Sequence, residues 1–253
     1  MAVIIAALSV SWGTIALLPR IMGDQGLELL AVTAAIILLA AVGAIDDMRS
    51  LGTTPRLAMQ CVAVGTVIVV LPSDLQILPH LPWWLERCCL FLGGLWLVNL
   101  VNFMDGIDWM TVVEFVPVTA AMTLLGLAGE IGLSPAMMAA ALLGAVLGFA
   151  PVNKPVAQLF LGDVGSLPMG LLLGWLLLKL AETGHLIAAL ILPLYYLADA
   201  SVTLAWRLSH GRTRTISARL RKSEASVTGA SSHARPTTFS NIPICPADRS
   251  FAH

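Results

Sequence analysis

Three short acidic clusters carry most of the chemistry this chain can offer. They are Asp46-Asp47, then Asn102-Phe-Met-Asp105-Gly-Ile-Asp108, then Gly162-Asp163-Val-Gly165-Ser166. Each lies at the end of an apolar run, in a chain with only 11% charged residues. An ionised carboxylate at membrane depth is expensive and marks a functional site by default. Carboxylates that share one site suit a divalent metal that handles phosphate. Phosphoryl transfer needs positioning and positive charge against the phosphate oxygens. Mg2+ supplies that charge and prefers oxygen ligands, often one or two carboxylates with phosphates and water.

Each cluster also has a plainer reading. Asp163 precedes Val-Gly-Ser at the start of an apolar helix, where open N–H groups would favour an anionic phosphate. A turn with Asp as helix cap explains the same pair. Asp46 and Asp47 diverge by about 100° on a helix, so one of them faces a given point. That one could bind a metal-linked water or accept a proton from a phosphate nucleophile; a solvated loop pair before Arg49 is the alternative. Asn102, Asp105 and Asp108 are spaced by three, which stacks them on one face of a helical turn. An amide plus two acids suits a ribose, a base edge or a metal-bound water, and a polar helix end near headgroups is the alternative. The coincidence of all three clusters on one membrane side favours a shared site.

The elements that must position these residues are transmembrane helices. The chain has 253 residues, 58% of them hydrophobic, and a mean hydropathy of +0.87. A soluble domain carries about 25% charged residues. Runs of bilayer-spanning length cover 2–18, 28–45, 57–72, 84–101, 111–128, 134–150, 164–180 and 186–206. In lipid the backbone must bond to itself, so the runs are helices and the fold is an all-α polytopic membrane protein. The first run has no basic n-region and no small-residue cleavage site, so it is not a signal peptide. Residues 1–206 form the transmembrane core. Residues 207–253 form a basic, Ser/Thr-rich, disordered tail.

Counting helices puts the dyad in loop two (46–56), the Asn102–Asp108 cluster in loop four, and Asn153 with Asp163 in loop six. All share one side by parity with the segment after the last helix. Arg207, Arg212, Arg214, Arg219, Arg221 and Lys222 in that segment place this side in the cytoplasm. The opposite face has Pro79, Pro82, Trp83 and Trp84 as an interfacial turn. The cysteines have no zinc or disulfide spacing and read as membrane-core thiols. Gly144–Gly148 and Gly170–Gly174 read as small-residue helix packing. Asp199 either lines the site or bonds a neighbouring helix. His80 and His185 are idle on the far side, and Ser166 lacks a His–Asp partner.

Gly43-Ala-Ile-Asp46-Asp47, Asn99-Leu-Val-Asn102-Phe-Met-Asp105-Gly-Ile-Asp108 and Phe160-Leu-Gly-Asp163-Val-Gly-Ser166 resemble the polyprenyl-phosphate sugar-1-phosphate transferases over residues 3–208. That family includes bacterial enzymes that move GlcNAc-1-phosphate or phospho-MurNAc-pentapeptide from a UDP-sugar to undecaprenyl phosphate. The resemblance implies that Asp46 and Asp47 are catalytic and engage the lipid phosphate. It implies substrate binding by Asn102, Asp105 and Asn153, and metal binding by Asp108 and Asp163. It further implies Mg2+, with Mn2+ as a substitute, and the release of UMP to initiate cell-envelope polysaccharide synthesis. The implied partners are a UDP-sugar, polyprenyl phosphate and membrane lipid, with no nucleic acid. Dimers are common in that family. The implied location is the bacterial inner membrane, with a cytoplasmic site.

The chain departs from the family pattern in three places. Trp109 stands where the family more often has glycine. The family's opening helix and Pro-Arg-Gly-Gly segment are missing, which suggests truncation. After Gly211 the family has a His-rich loop and further helices; His210 and His233 do not reproduce it, and the tail reads as a shifted frame. An inactive truncated relative is therefore one alternative. A transporter with acidic cation sites is another. A prenyltransferase fails on its DDxxD spacing, because position 50 is Ser. A CDP-alcohol phosphotransferase fails because the DGxxAR pattern does not follow Asp105-Gly106.

Overall fold

The computed structural model describes residues 23–49, 51–72, 76–78, 81–155, 157, 159–194, 197, 198, 201, 202 and 206. All but Trp206 belong to one compact unit, Met1–Val202. The described residues form helices and no strand. In chain order they are α1 (Gly23–Met48), α2 (Thr53–Val70), α3 (Trp83–Met104), α4 (Met110–Leu127), α5 (Leu133–Asn153), α6 (Asp163–Glu182) and the short α7 (Leu186–Ile191). Among the described residues, α1 to α6 are long and apolar enough to cross a membrane. The fold is thus all-α and polytopic. The run at 2–18, the tail from 207 and Asp199 lie outside the described residues, and the run at 186–206 lies only partly within them.

Helix α6 is the centre of the unit. Every residue from Gly165 to Leu173 is buried, because α6 packs against both α1 and α3. Further contacts link α1 with α2, α2 with α3, α4 with α5, and α6 with α7. The core joins Val32, Ile36 and Leu39 of α1 to Val98 and Val101 of α3 and Leu172 and Leu176 of α6. Leu30, Ile37, Val69, Leu124 and Leu127 stay exposed on outer faces, where lipid is the natural solvent.

Two close crossings set the helix spacing. A Cβ on Gly43 would meet the backbone of Asp163 and Val164 at 2.3–2.5 Å, and one on Gly170 would lie 2.9 Å from the Val98 Cα. The expected packing role thus holds for Gly170. A Cβ on Gly174 would make ordinary contact with Leu97, whereas one on Gly144 or Gly148 would meet nothing within 4 Å outside its own helix. The latter pattern does not pack a helix pair among the described residues.

Helices α1 and α6 run antiparallel. Asp47 at the end of α1 meets the start of α6, and Glu28 near its beginning meets Trp175 and Lys179 late in α6. The helix boundaries correct the expected loops. Asp46 and Asp47 sit in the last turn of α1, Asn102 lies inside α3, and Asn153 is the last residue of α5. Each belongs to a helix end because the helix continues up to about one turn past the apolar run.

Candidate active site

The acidic clusters converge on the segment that leads into α6. Arg56, in the first turn of α2, ties two of them together. Its Nη1 donates to Asp46 Oδ2 at 3.0 Å and to Asp163 Oδ2 at 2.9 Å. One nitrogen thus receives two carboxylates that are 107 and 10 residues away in sequence. The other oxygens are assigned as well. Asp46 Oδ1 accepts from the Leu51 backbone N–H at 2.6 Å. Asp163 Oδ1 accepts from Asn102 Nδ2 at 2.6 Å, and the same amide donates to Ser166 Oγ at 2.8 Å.

Asp47 does something different from its neighbour. Its Oδ1 accepts from the N–H of Asp163 and its Oδ2 from the N–H of Val164, both at 3.2 Å. It caps α6 from another helix, as carboxylates at helix N-termini do. The N–H groups of Asp163 and Val164, expected to be open for phosphate, are therefore already paired. Gly162 makes the approach possible. Its φ is +67°, and a Cβ there would lie 2.9 Å from Asp47 Oδ2.

The Asn102–Asp108 cluster fans out along the segment before α6. Asn102 holds Asp163 and Ser166, Asp105 Oδ2 accepts from the Gly162 N–H at 3.0 Å, and Asp108 Oδ2 accepts from the Ala157 N–H at 3.3 Å. Helix α3 ends at Met104, so the expected stack on one helical face stops at Asn102. The chain turns after it, and each acid reaches a different point. Asp105 also accepts from Thr111 Oγ1 at 3.3 Å and is 5% exposed. Burial pushes its carboxyl above the ordinary carboxylate range, against the lowering effect of the Gly162 and Thr111 hydrogen bonds.

Asn153 locks the other side of this segment. Its Oδ1 accepts from the Trp109 N–H at 3.0 Å, and its Nδ2 donates to the Leu159 carbonyl at 3.1 Å. Trp109 has φ +63°, the only positive φ at a non-glycine among the described residues. That left-handed backbone suits glycine and strains a bulky residue. It accounts physically for the glycine more often found at this place in the resembled family.

The structure thus brings Asp46, Asp47, Asn102, Asp105 and Asp163 together around the start of α6. Asp108 and Asn153 hold the preceding segment. Sequence reading missed Arg56. Its signal was an arginine one turn into the helix after the dyad. Thr111 was missed too, as was Glu114. Glu114 is 4% exposed, and its Oε1 has no hydrogen-bond partner.

Whether a divalent cation fits is decided by the donor set. Asp46 Oδ2 and Asp163 Oδ2 already converge on one cationic atom, and two carboxylates completed by phosphate and water are a familiar Mg2+ set. These two residues fit the ion. Among the described residues, no group of three or more His, Cys, Asp or Glu could hold a metal alone.

Comparison with known proteins agrees with the motif reading. A phospho-N-acetylmuramoyl-pentapeptide-transferase of Trichormus variabilis is 33% identical over 205 residues, 72% of this chain and 54% of its own length. One from Synechococcus sp. (strain CC9311) is 31% identical over 172 residues, 58% of this chain and 45% of its own. One from Campylobacter jejuni (strain RM1221) is 27% identical over 203 residues, 67% and 57%. The chain spans about half the length of these curated relatives. The model of glycosyl transferase family 4 matches residues 29–181, well over half of the sequence, and to that family the chain belongs.

Proposed function

We propose that this chain transfers a sugar-1-phosphate, GlcNAc-1-phosphate, from a UDP-sugar to undecaprenyl phosphate at the cytoplasmic face of the bacterial inner membrane. The carrying observation is the convergence of Asp46 and Asp163 on one guanidinium at the ends of two helices long and apolar enough to cross a membrane. Family membership supplies the reaction class. In the balanced step, an oxygen of the lipid phosphate forms a bond to the sugar-bearing phosphorus of the UDP-sugar. The bond from that phosphorus to the bridging oxygen breaks, and UMP leaves.

The chain's own residues take distinct parts. Asp46 and Asp163 would hold Mg2+, with a substrate phosphate and water completing the set. The ion would supply positive charge against the phosphate oxygens. Asn102 fixes the Asp163 carboxylate through its 2.6 Å bond. Arg56 presents a guanidinium fork, which matches phosphate geometry. Asp105, Asn153 and Asp47 hold the approach to α6 in place, so that Asp163 sits at a fixed height above the helix axis.

A second donor is favoured by the names of the relatives, all phospho-N-acetylmuramoyl-pentapeptide-transferases. That reading uses the same residues with UDP-MurNAc-pentapeptide. The test is UMP release by membranes containing the chain, with undecaprenyl phosphate, Mg2+ and either donor, against Asp163→Asn. Mg2+-dependent UMP from one donor, lost in the variant, identifies the substrate. No UMP from either donor with inserted protein would overturn the proposal.

A further inference from the structure

The far end of the α1/α6 pair holds a second polar site. Glu28 Oε1 accepts from the Trp175 indole N–H at 2.8 Å, and its Oε2 accepts from Lys179 Nζ at 2.7 Å. Lys179 also donates to Glu182 Oε2 at 2.7 Å. A cavity of about 240 Å3 opens against these groups, with Ser134, Pro135 and Thr183 on its other walls. Nineteen residues of α1 separate Glu28 from Asp47, about 28 Å of helix. That is close to one hydrocarbon thickness, so this site stands at the opposite membrane interface from the aspartates.

Its charge is not balanced from within. Two carboxylates share one ammonium, leaving one net negative charge among the described lining residues. The side chains of Glu28 and Lys179 are 7% and 14% exposed. Burying such a group is costly unless its hydrogen bonds are completed, and apolar residues would have joined α1 to α6 at less expense. A cavity beside the triad gives that charge somewhere to act. Leu27, Leu30 and Leu133, next to the cavity residues in sequence, are 66%, 51% and 60% exposed, and so present apolar surface to acyl chains.

We propose that this cavity binds the headgroup of a zwitterionic phospholipid with a primary ammonium, a phosphoethanolamine lipid of the opposite leaflet. The ammonium donates to Glu182, the carboxylate that shares Lys179 with Glu28. The lipid phosphate accepts the remaining donor of Lys179, and the acyl chains lie over the exposed leucines. A choline headgroup offers no N–H to the carboxylates. A phosphoglycerol headgroup brings a second negative charge.

The test is native mass spectrometry of the full chain in detergent with equimolar phosphatidylethanolamine, phosphatidylcholine and phosphatidylglycerol. Wild type should retain the ethanolamine lipid about tenfold over the others, the worth of one charge-assisted hydrogen bond. Glu182→Gln should abolish the preference with unchanged gel-filtration elution. Glu28→Gln, which keeps an acceptor for Trp175, is the second variant should the first fail to fold. Equal retention of all three lipids by wild type, or an unchanged preference in the folded variant, overturns the proposal. Soluble phosphoethanolamine that binds lipid-free micelles as tightly as the lipid would reassign the site to a free amine and overturn the lipid assignment.

Discussion

Arg56 donates to Asp163 Oδ2 at 2.9 Å from the first turn of a helix that follows the aspartate dyad. The same nitrogen reaches Asp46. The guanidinium therefore stands where two carboxylates would otherwise repel, in the position proposed above for a divalent cation. Arg56→Gln removes that competitor. Mg2+ should then bind up to about tenfold tighter by calorimetry, while UMP formation falls roughly 10²-fold, as for loss of one transition-state donor. Weaker Mg2+ binding in the variant would show that Arg56 assembles the metal site rather than competing for it.

Asp47 caps α6 through space. Asp47→Ala should lower stability by about 1 kcal/mol, the usual worth of a helix N-cap. Gly162→Ala should lower it by a comparable or larger amount, through left-handed strain of roughly 1–2 kcal/mol and the contact with Asp47 Oδ2. The double variant relieves that contact, so the two losses should sum to less than their separate values. Thermal unfolding in detergent measures all three; strict additivity would mean the side chain and the glycine do not meet.

The Trp109 backbone predicts a contrast between two small residues. Trp109→Ala keeps the φ of +63° and loses the indole. Trp109→Gly loses the indole and the strain together. The glycine variant should be the more stable by about 1 kcal/mol. Equal stability would indicate that the local backbone relaxes out of the left-handed region once the indole is gone.

Asp105 gives a pH signature. Its carboxyl binds a proton more readily when folded than when unfolded, because burial disfavours the charge. The folded state then carries more bound protons as pH rises through the carboxylate range, so this group withdraws stability across that window. It withdraws none below the ordinary carboxylate value and its full amount above the raised one. Asp105→Asn should flatten this fall in a series of unfolding midpoints taken upward from about pH 4, the ordinary aspartate value. A steeper fall in the variant would reverse the assignment.

The membrane class, six described spans and the three acidic clusters followed from composition, run length and motif spacing, because each is a local property of the chain. Lipid leaves helices as the one open-ended way to pair a backbone, so the apolar runs alone fix the architecture. The spacing of Asn102, Asp105 and Asp108 was visible, but what they touch was not. Helix α3 stops at Met104, and only the tertiary path before α6 decides that Asn102 meets the side chains of Asp163 and Ser166 while Asp105 and Asp108 meet the backbone N–H groups of Gly162 and Ala157. Asp46 and Asp47 are identical in type and adjacent in sequence, yet one pairs with Arg56 and the other caps α6. The 100° step of a helix predicts that they diverge; the antiparallel docking of α1 on α6 decides where each points. The Glu28–Lys179 pair belongs wholly to that docking, because 151 residues separate its members and no local pattern links them.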